Sequence, residues 1–219
     1  VAAKVRGRHL FQIILLVLLG LGVGQILRHA VPIGRDLGDN ATMRAVLRDR
    51  TYPSQEAPVS TLTLIVFTDY RCPACRRADP EMEAAIAKDG HVRVIYRDWP
   101  IFGPLSEHAA RIAIAADSQG IYSALHARLM REPRTLDDPV LRELVARSGG
   151  NWTKLQADLK THRGEIEAQL ANTRTVVFSL GIAGTPAYLA GPVLAMGAND
   201  ATDFANLFAE GRKAGEASR

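Results

Sequence analysis

The sequence predicts an α/β domain behind an N-terminal membrane segment, with a parallel β-α-β unit, helices inserted in one crossover, and a closing hairpin and helix. Three observations carry this reading. An apolar, β-branched run at 61–68 is followed by a helical stretch and then by an alternating run at 91–98. Helical segments fill the chain from about 104 to 180. A Gly-Pro turn then joins two short strands ahead of a last amphipathic helix. Parallel strands require a crossover, so this order gives one sheet with helices packed on it.

With 219 residues, 47% apolar and 23% charged, the chain has a globular composition and room for one or two domains. Two cysteines exclude a disulfide scaffold and a four-cysteine zinc or iron–sulfur site. The net charge of +4 is unevenly placed. Residues 1–50 carry Lys4, Arg6, Arg8, Arg28, Arg35, Arg44, Arg48 and Arg50 against Asp36, Asp39 and Asp49, a net +5, which leaves −1 for residues 51–219. A nucleic-acid-binding domain carries its own basic face, so no nucleic-acid partner is expected.

The first element is the uncharged run Leu10–Leu27, LFQIILLVLLGLGVGQIL. As a helix its 18 residues span about 27 Å, close to a bilayer core. Lys4, Arg6 and Arg8 precede it, which places the N-terminus in the cytoplasm and the remainder outside. Residues 1–29 read as an uncleaved signal anchor, with a cleaved signal peptide as the alternative. Both export the rest of the chain to a compartment where disulfides form. Residues 30–59, with Pro32, Gly34, Gly38, Pro53 and Pro58, read as a tether holding one short helix near Thr42–Asp49.

The domain is expected over 60–214. Thr61–Thr68, TLTLIVFT, suits a buried strand. Ala74–Lys88 reads as a helix stopped by Asp89-Gly90, and His91–Asp98, HVRVIYRD, as a second strand. Ser106 reads as the cap of a helix reaching about Ser118, with further helices at 121–131, 138–147, 152–160 and 164–179. Asp137 and Asn151 serve as start signals. AYLA and VLAMG, joined by Gly191-Pro192, form a hairpin, and Ala201–Ala214 the last helix.

The chemistry lies at Cys72-Pro73-Ala74-Cys75, between a buried strand and a helix. A helix start offers unpaired N–H groups and the positive end of the dipole, both of which favour a thiolate. Cys72 is the candidate nucleophile, and Cys75, one turn later, is placed to resolve a mixed disulfide. Pro73 suits an early helical position. A structural disulfide closing so short a loop gives little stabilisation. Zinc would need two more ligands, and the histidines show no matching pair. A c-type haem would need His at the position of Arg76. No metal and no organic cofactor is expected, only the Cys72–Cys75 dithiol.

FTDYRCPAC, the helical insertion, and Gly184-Thr185-Pro186 ahead of the hairpin resemble the DsbA-like thiol–disulfide oxidoreductases of the bacterial cell envelope, in the thioredoxin superfamily. The resemblance covers about residues 60–212. It implies a thioredoxin-like fold, a central mixed sheet in β-α-β then β-β-α order, with the insertion at about 104–180. It also implies a cis Thr185–Pro186 bond opposite the dithiol, with the Thr185 backbone binding an extended substrate peptide. Implied partners are exported proteins bearing thiols or disulfides and a separate redox partner that resets the dithiol. The alternative at Pro186 is a trans-proline opening an edge strand.

Two departures concern direction. Ala74 stands where the best-known oxidases have His, which implies a less oxidising dithiol; about 30 mV corresponds to about 1.4 kcal/mol for this couple. Thr185 before the proline looks more like relatives that reduce or isomerise disulfides. Isomerase or reductase activity, and a non-catalytic tethered holdase, stand as alternatives to an oxidase. Asp69, three residues before Cys72, reads as active-site support for proton transfer or as a strand-end cap. Arg71, Arg76 and Arg77 read as solvated charge, and His108 and His126 as structural.

Overall fold

The computed structural model describes Leu16, Val17, Leu19, Gly20 and residues 33–217. The four early residues are helical; the rest of the expected anchor at 10–27 lies outside the described residues. Among the described residues no helix is long and apolar enough to cross a membrane. The chain divides into two units, Val1–Ile33 and Gly34–Arg219, and the second holds the sheet and the dithiol.

The strands of this second unit are β1 (Arg35–Asp36), β2 (Ser54–Gln55), β3 (Leu62–Thr68), β4 (Val92–Asp98), β5 (Ala187–Ala190) and β6 (Val193–Met196). Its α-helices are α1 (Ala41–Arg48), α2 (Pro73–Asp89), α3 (Pro104–Ala116), α4 (Tyr122–Arg131), α5 (Asp138–Arg147), α6 (Trp152–Thr161), α7 (Arg163–Ser179) and α8 (Ala201–Ala217). One sheet runs in the order β1-β6-β5-β3-β4-β2. The β3–β4 pair is parallel from Leu62↔Val92 to Thr68↔Asp98, and the β5–β6 hairpin joins antiparallel through Val66↔Tyr188.

Alternation along a strand sends successive side chains to opposite faces. One face holds Ile65 and Phe67 of β3, Ile95 of β4 and Leu189 of β5 against α1 and the end of α7, through Met43, Val46, Val176, Val177 and Leu180. On the other face Tyr188 meets Phe204 of α8 at 4.8 Å between ring centres, and α8 packs on α2. Gly211 lets α8 come that close, since a Cβ there would meet the Ala190 carbonyl oxygen at 2.5 Å.

The segment read as a tether is corrected from Gly34 onward. Residues 35–36 pair with β6 and residues 54–55 with β4, so one stretch of chain lines both sheet edges. Two-residue strands carry no periodicity, which is why prolines and polar residues masked them. Buried Met43, Val46 and Tyr52 fasten this segment to the core. A latch completes the attachment. The fully buried Arg97 guanidinium pairs with Asp49 at 2.7 Å, donates to Asn172 Oδ1 at 2.9 Å, and lies 3.7 Å from the Tyr52 ring centre.

The insertion contains α3 to α7. Asp137 and Asn151 cap α5 and α6 through bonds from Val140 and Lys154 N–H. The cap expected at Ser106 is corrected: α3 starts at Pro104 after Gly103, and Ser106 lies inside the helix with its hydroxyl turned to Asp69.

Candidate active site

The polypeptide leaves β3 at Thr68 and turns into α2 through Asp69-Tyr70-Arg71. Asp69 shapes this turn. Its carbonyl accepts from Cys72 N–H at 3.1 Å and its carboxylate from Arg71 N–H at 2.7 Å. The same buried carboxylate accepts from Ile101 N–H at 2.6 Å, Phe102 N–H at 3.0 Å, and the Ser106 hydroxyl. Asp69 thus stitches the active-site turn to the loop after β4. Asp69 sits just past the end of β3, and the helix cap is Cys72.

Cys72 caps α2, and its sulfur accepts from Cys75 N–H at 3.3 Å. Pro73 opens the helix, where a missing N–H costs nothing. Pro73 is exposed and Ala74 half-buried, whereas both thiols are only 2% exposed. Burial, then the neighbouring Cys72 side chain, pushes the Cys75 thiol up to about 12. Both cysteines are unbridged.

Across from the dithiol, the Cys72 thiol donates to the Thr185 carbonyl at 3.3 Å. The Thr185–Pro186 bond is cis, and Gly197 N–H closes on the Pro186 carbonyl at 2.9 Å. The fold therefore brings Cys72, Cys75, Thr185 and Pro186 together, and sets Asp69 behind them as a brace.

Sequence reasoning missed other polar groups beside the dithiol. Asp79 follows Cys75 by four residues on α2, so both lie on the buried face. Its Oδ1 lies 3.1 Å from His126 Nε2. His126 Nδ1 lies 3.1 Å from the Tyr70 hydroxyl, which donates to Tyr122 Oη at 3.2 Å; Tyr122 donates to Asp98 at 3.0 Å. Burial pushes Asp98 up to about 6 and raises Tyr70 and Tyr122 well above the ordinary phenol range. The i,i+4 spacing of Cys75 and Asp79 was the available signal, since an acid inside an apolar helix face needs a partner. Arg76 is corrected from solvated charge: it donates to the Met130 carbonyl at 3.1 Å and to the Glu132 carbonyl, pinning the end of α4.

Comparison with known proteins agrees with this architecture. The family model for the DSBA-like thioredoxin domain matches residues 63–209. A thioredoxin-like oxidoreductase from Silicibacter pomeroyi superimposes with a TM-score of 0.73 at 31% identity, over 80% of this chain and 98% of that one. A periplasmic thioredoxin-like protein from Salmonella enterica gives 0.69 at 28%, over 80% and 98%. The thiol-disulfide exchange protein alpha-DsbA2 from Wolbachia pipientis gives 0.69 at 27%, over 82% and 97%. A Na(+)/H(+) antiporter, NhaA 3 of Salinispora tropica, is 26% identical over 143 residues, 64% of this chain but only 21% of that protein's length. The chain belongs to the DSBA-like thioredoxin domain family, as a DsbA-like thiol–disulfide oxidoreductase with its C-x-x-C motif at Cys72 and Cys75.

Proposed function

We propose that this protein forms or exchanges disulfides in exported proteins, with Cys72 as the sulfur that engages substrate and Cys75 as the sulfur that resolves. The observation that carries this reading is the position of Cys72, capping α2 and facing the Thr185 carbonyl beside cis-Pro186. The helix start favours negative charge on sulfur. Cys75, pushed up to about 12, stays a thiol while Cys72 works first.

In the oxidising direction a substrate thiolate attacks Cys72 of the disulfide, and the Cys75 sulfur leaves and takes up a proton. A second substrate thiolate then attacks the substrate sulfur of the mixed disulfide and releases Cys72. In the reducing or isomerising direction the Cys72 thiolate attacks a substrate disulfide. Cys75 gives up its proton and displaces the substrate sulfur from Cys72. A substrate backbone N–H takes over the Thr185 carbonyl as Cys72 loses its proton, which aligns an extended segment with few side-chain demands. The residue 10–27 segment holds the domain to the membrane on its outer face, and a separate partner resets the dithiol. The periplasmic Salmonella structure supports that compartment.

The test is trapping. Cys75→Ser in the full chain accumulates mixed disulfides with exported proteins, and Cys72→Ser abolishes them; no Cys72-dependent adduct would sink the proposal. The equilibrium potential against glutathione assigns direction: about −120 mV marks an oxidant and about −270 mV a reductant.

A further inference from the structure

The helical insertion sends two ionisable side chains of α4, His126 and Tyr122, into the interior against α2 and β4. His126 of α4 is 1% exposed and sits between two buried carboxylates. Its Nε2 reaches Asp79 of α2 at 3.1 Å. Its Nδ1 reaches the Tyr70 hydroxyl, and through Tyr122 the chain of bonds ends on Asp98 of β4. Tyr96 of β4 covers the imidazole at 4.5 Å between ring centres. The groups facing His126 are thus Tyr70 from the active-site turn, Asp79 from α2, Tyr96 and Asp98 from β4, and Tyr122 from its own helix. Glu83, one turn beyond Asp79, adds its charge at Tyr96.

Asp79 also shares the buried face of α2 with Cys75, one turn away. Tyr188, two residues after Pro186 on β5, is 2% exposed and feels the charges of Cys75, Asp79 and Cys72 together. With Asp79 four residues after Cys75, a charge on the pair acts on the dithiol through protein rather than water.

We propose that His126 and Asp79 are positioning residues that set the thiolate equilibrium of the Cys72–Cys75 dithiol through their charges. The imidazolium favours the thiolate and the carboxylate opposes it. A charge carried by either side chain of this hydrogen-bonded pair is therefore felt by the dithiol across the buried interior. No electrons move in this equilibrium, and the thiol proton exchanges with solvent. The insertion thereby becomes part of the redox chemistry. This inference rests on the proposed role of the dithiol.

Thiolate absorbance of the reduced full-length chain, titrated from pH 4 to 10, tests it. His126→Gln keeps a neutral donor where Nε2 stands and removes the titratable charge. It raises the thiolate midpoint, by up to about one pH unit or tenfold in the equilibrium. Asp79→Asn removes the opposing charge and lowers the midpoint. Tyr122→Phe perturbs the same network without removing a charge and moves the midpoint least. A structural defect shifts His126→Gln and Asp79→Asn the same way, and that result, or midpoints equal to wild type in both, overturns the inference. Circular dichroism checks folding, and glutathione exchange by the wild-type chain keeps the outcomes separate. Absence of exchange would strike at the dithiol reading, whereas normal exchange with unmoved midpoints would strike only at His126 and Asp79.

Discussion

Asp69 shows how one buried side chain can resemble a catalytic group and act as a brace. Its carboxylate serves three backbone N–H groups and the Ser106 hydroxyl. Asp69→Ala strands those donors and is expected to cost about 3 kcal/mol or more, read as a lower melting temperature with an unchanged pH profile for the exchange that remains. Asp98 behaves in the opposite sense. Burial raises its pKa from 3.8 to about 6, so below about pH 4 it is protonated in both folded and unfolded chains. As pH climbs toward 6 the unfolded chain releases that proton first, and the fold loses stability. Asp98→Asn keeps an acceptor for Tyr122 without the charge. It is expected to stabilise the fold at pH 7, by up to about 3 kcal/mol, and to match wild type near pH 4 in denaturant titrations. Cys72 and Cys75 were legible because C-x-x-C at a strand-to-helix junction carries a local mechanism, whereas Thr185 and Pro186 were legible only through the family resemblance. Asp79 and His126 were not, because their meaning arises only when α2 and α4, 47 residues apart at the contact, share one interior.

The helices of the insertion follow their sequence signals closely, since each has its own cap or apolar period. Asp137 and Asn151 cap as expected, and α7 spans Arg163–Ser179 against the 164–179 read from sequence. The elements missed were β1 and β2, whose two residues each are defined by partners far along the chain. What holds them is also non-local. Arg97 on β4 joins the end of α1, through Asp49, to Asn172 on α7. Arg97→Ala leaves Asp49 without its cation and removes the platform over Tyr52. The expected cost is about 3–5 kcal/mol. Limited proteolysis should then cut first between residues 49 and 58, whereas the wild-type chain resists there; equal cleavage in both would show that the latch does not hold this segment.

In the molecule as a whole, the dithiol stands where three separate parts of the chain converge: the start of α2, the Thr185–Pro186 turn and the loop braced by Asp69. The central strands and the motif identify the family from sequence, but the boundary at residue 60 falls inside the packed unit, which begins at Gly34. That boundary has a consequence for solubility. β1 lies along β6 and β2 along β4, so the stretch from 35 to 55 closes both sides of the sheet with short, exposed strands. Sheets that end on unpaired, apolar strands recruit strands from other molecules. A chain beginning at Leu62 would bare β6, with Val193 and Leu194, and β4, with Val94 and Ile95, to such recruitment. Light scattering should report its growth into assemblies under conditions where a chain beginning at Gly34 stays monodisperse. Residues 35–55 are, in that sense, a built-in safeguard against aggregation.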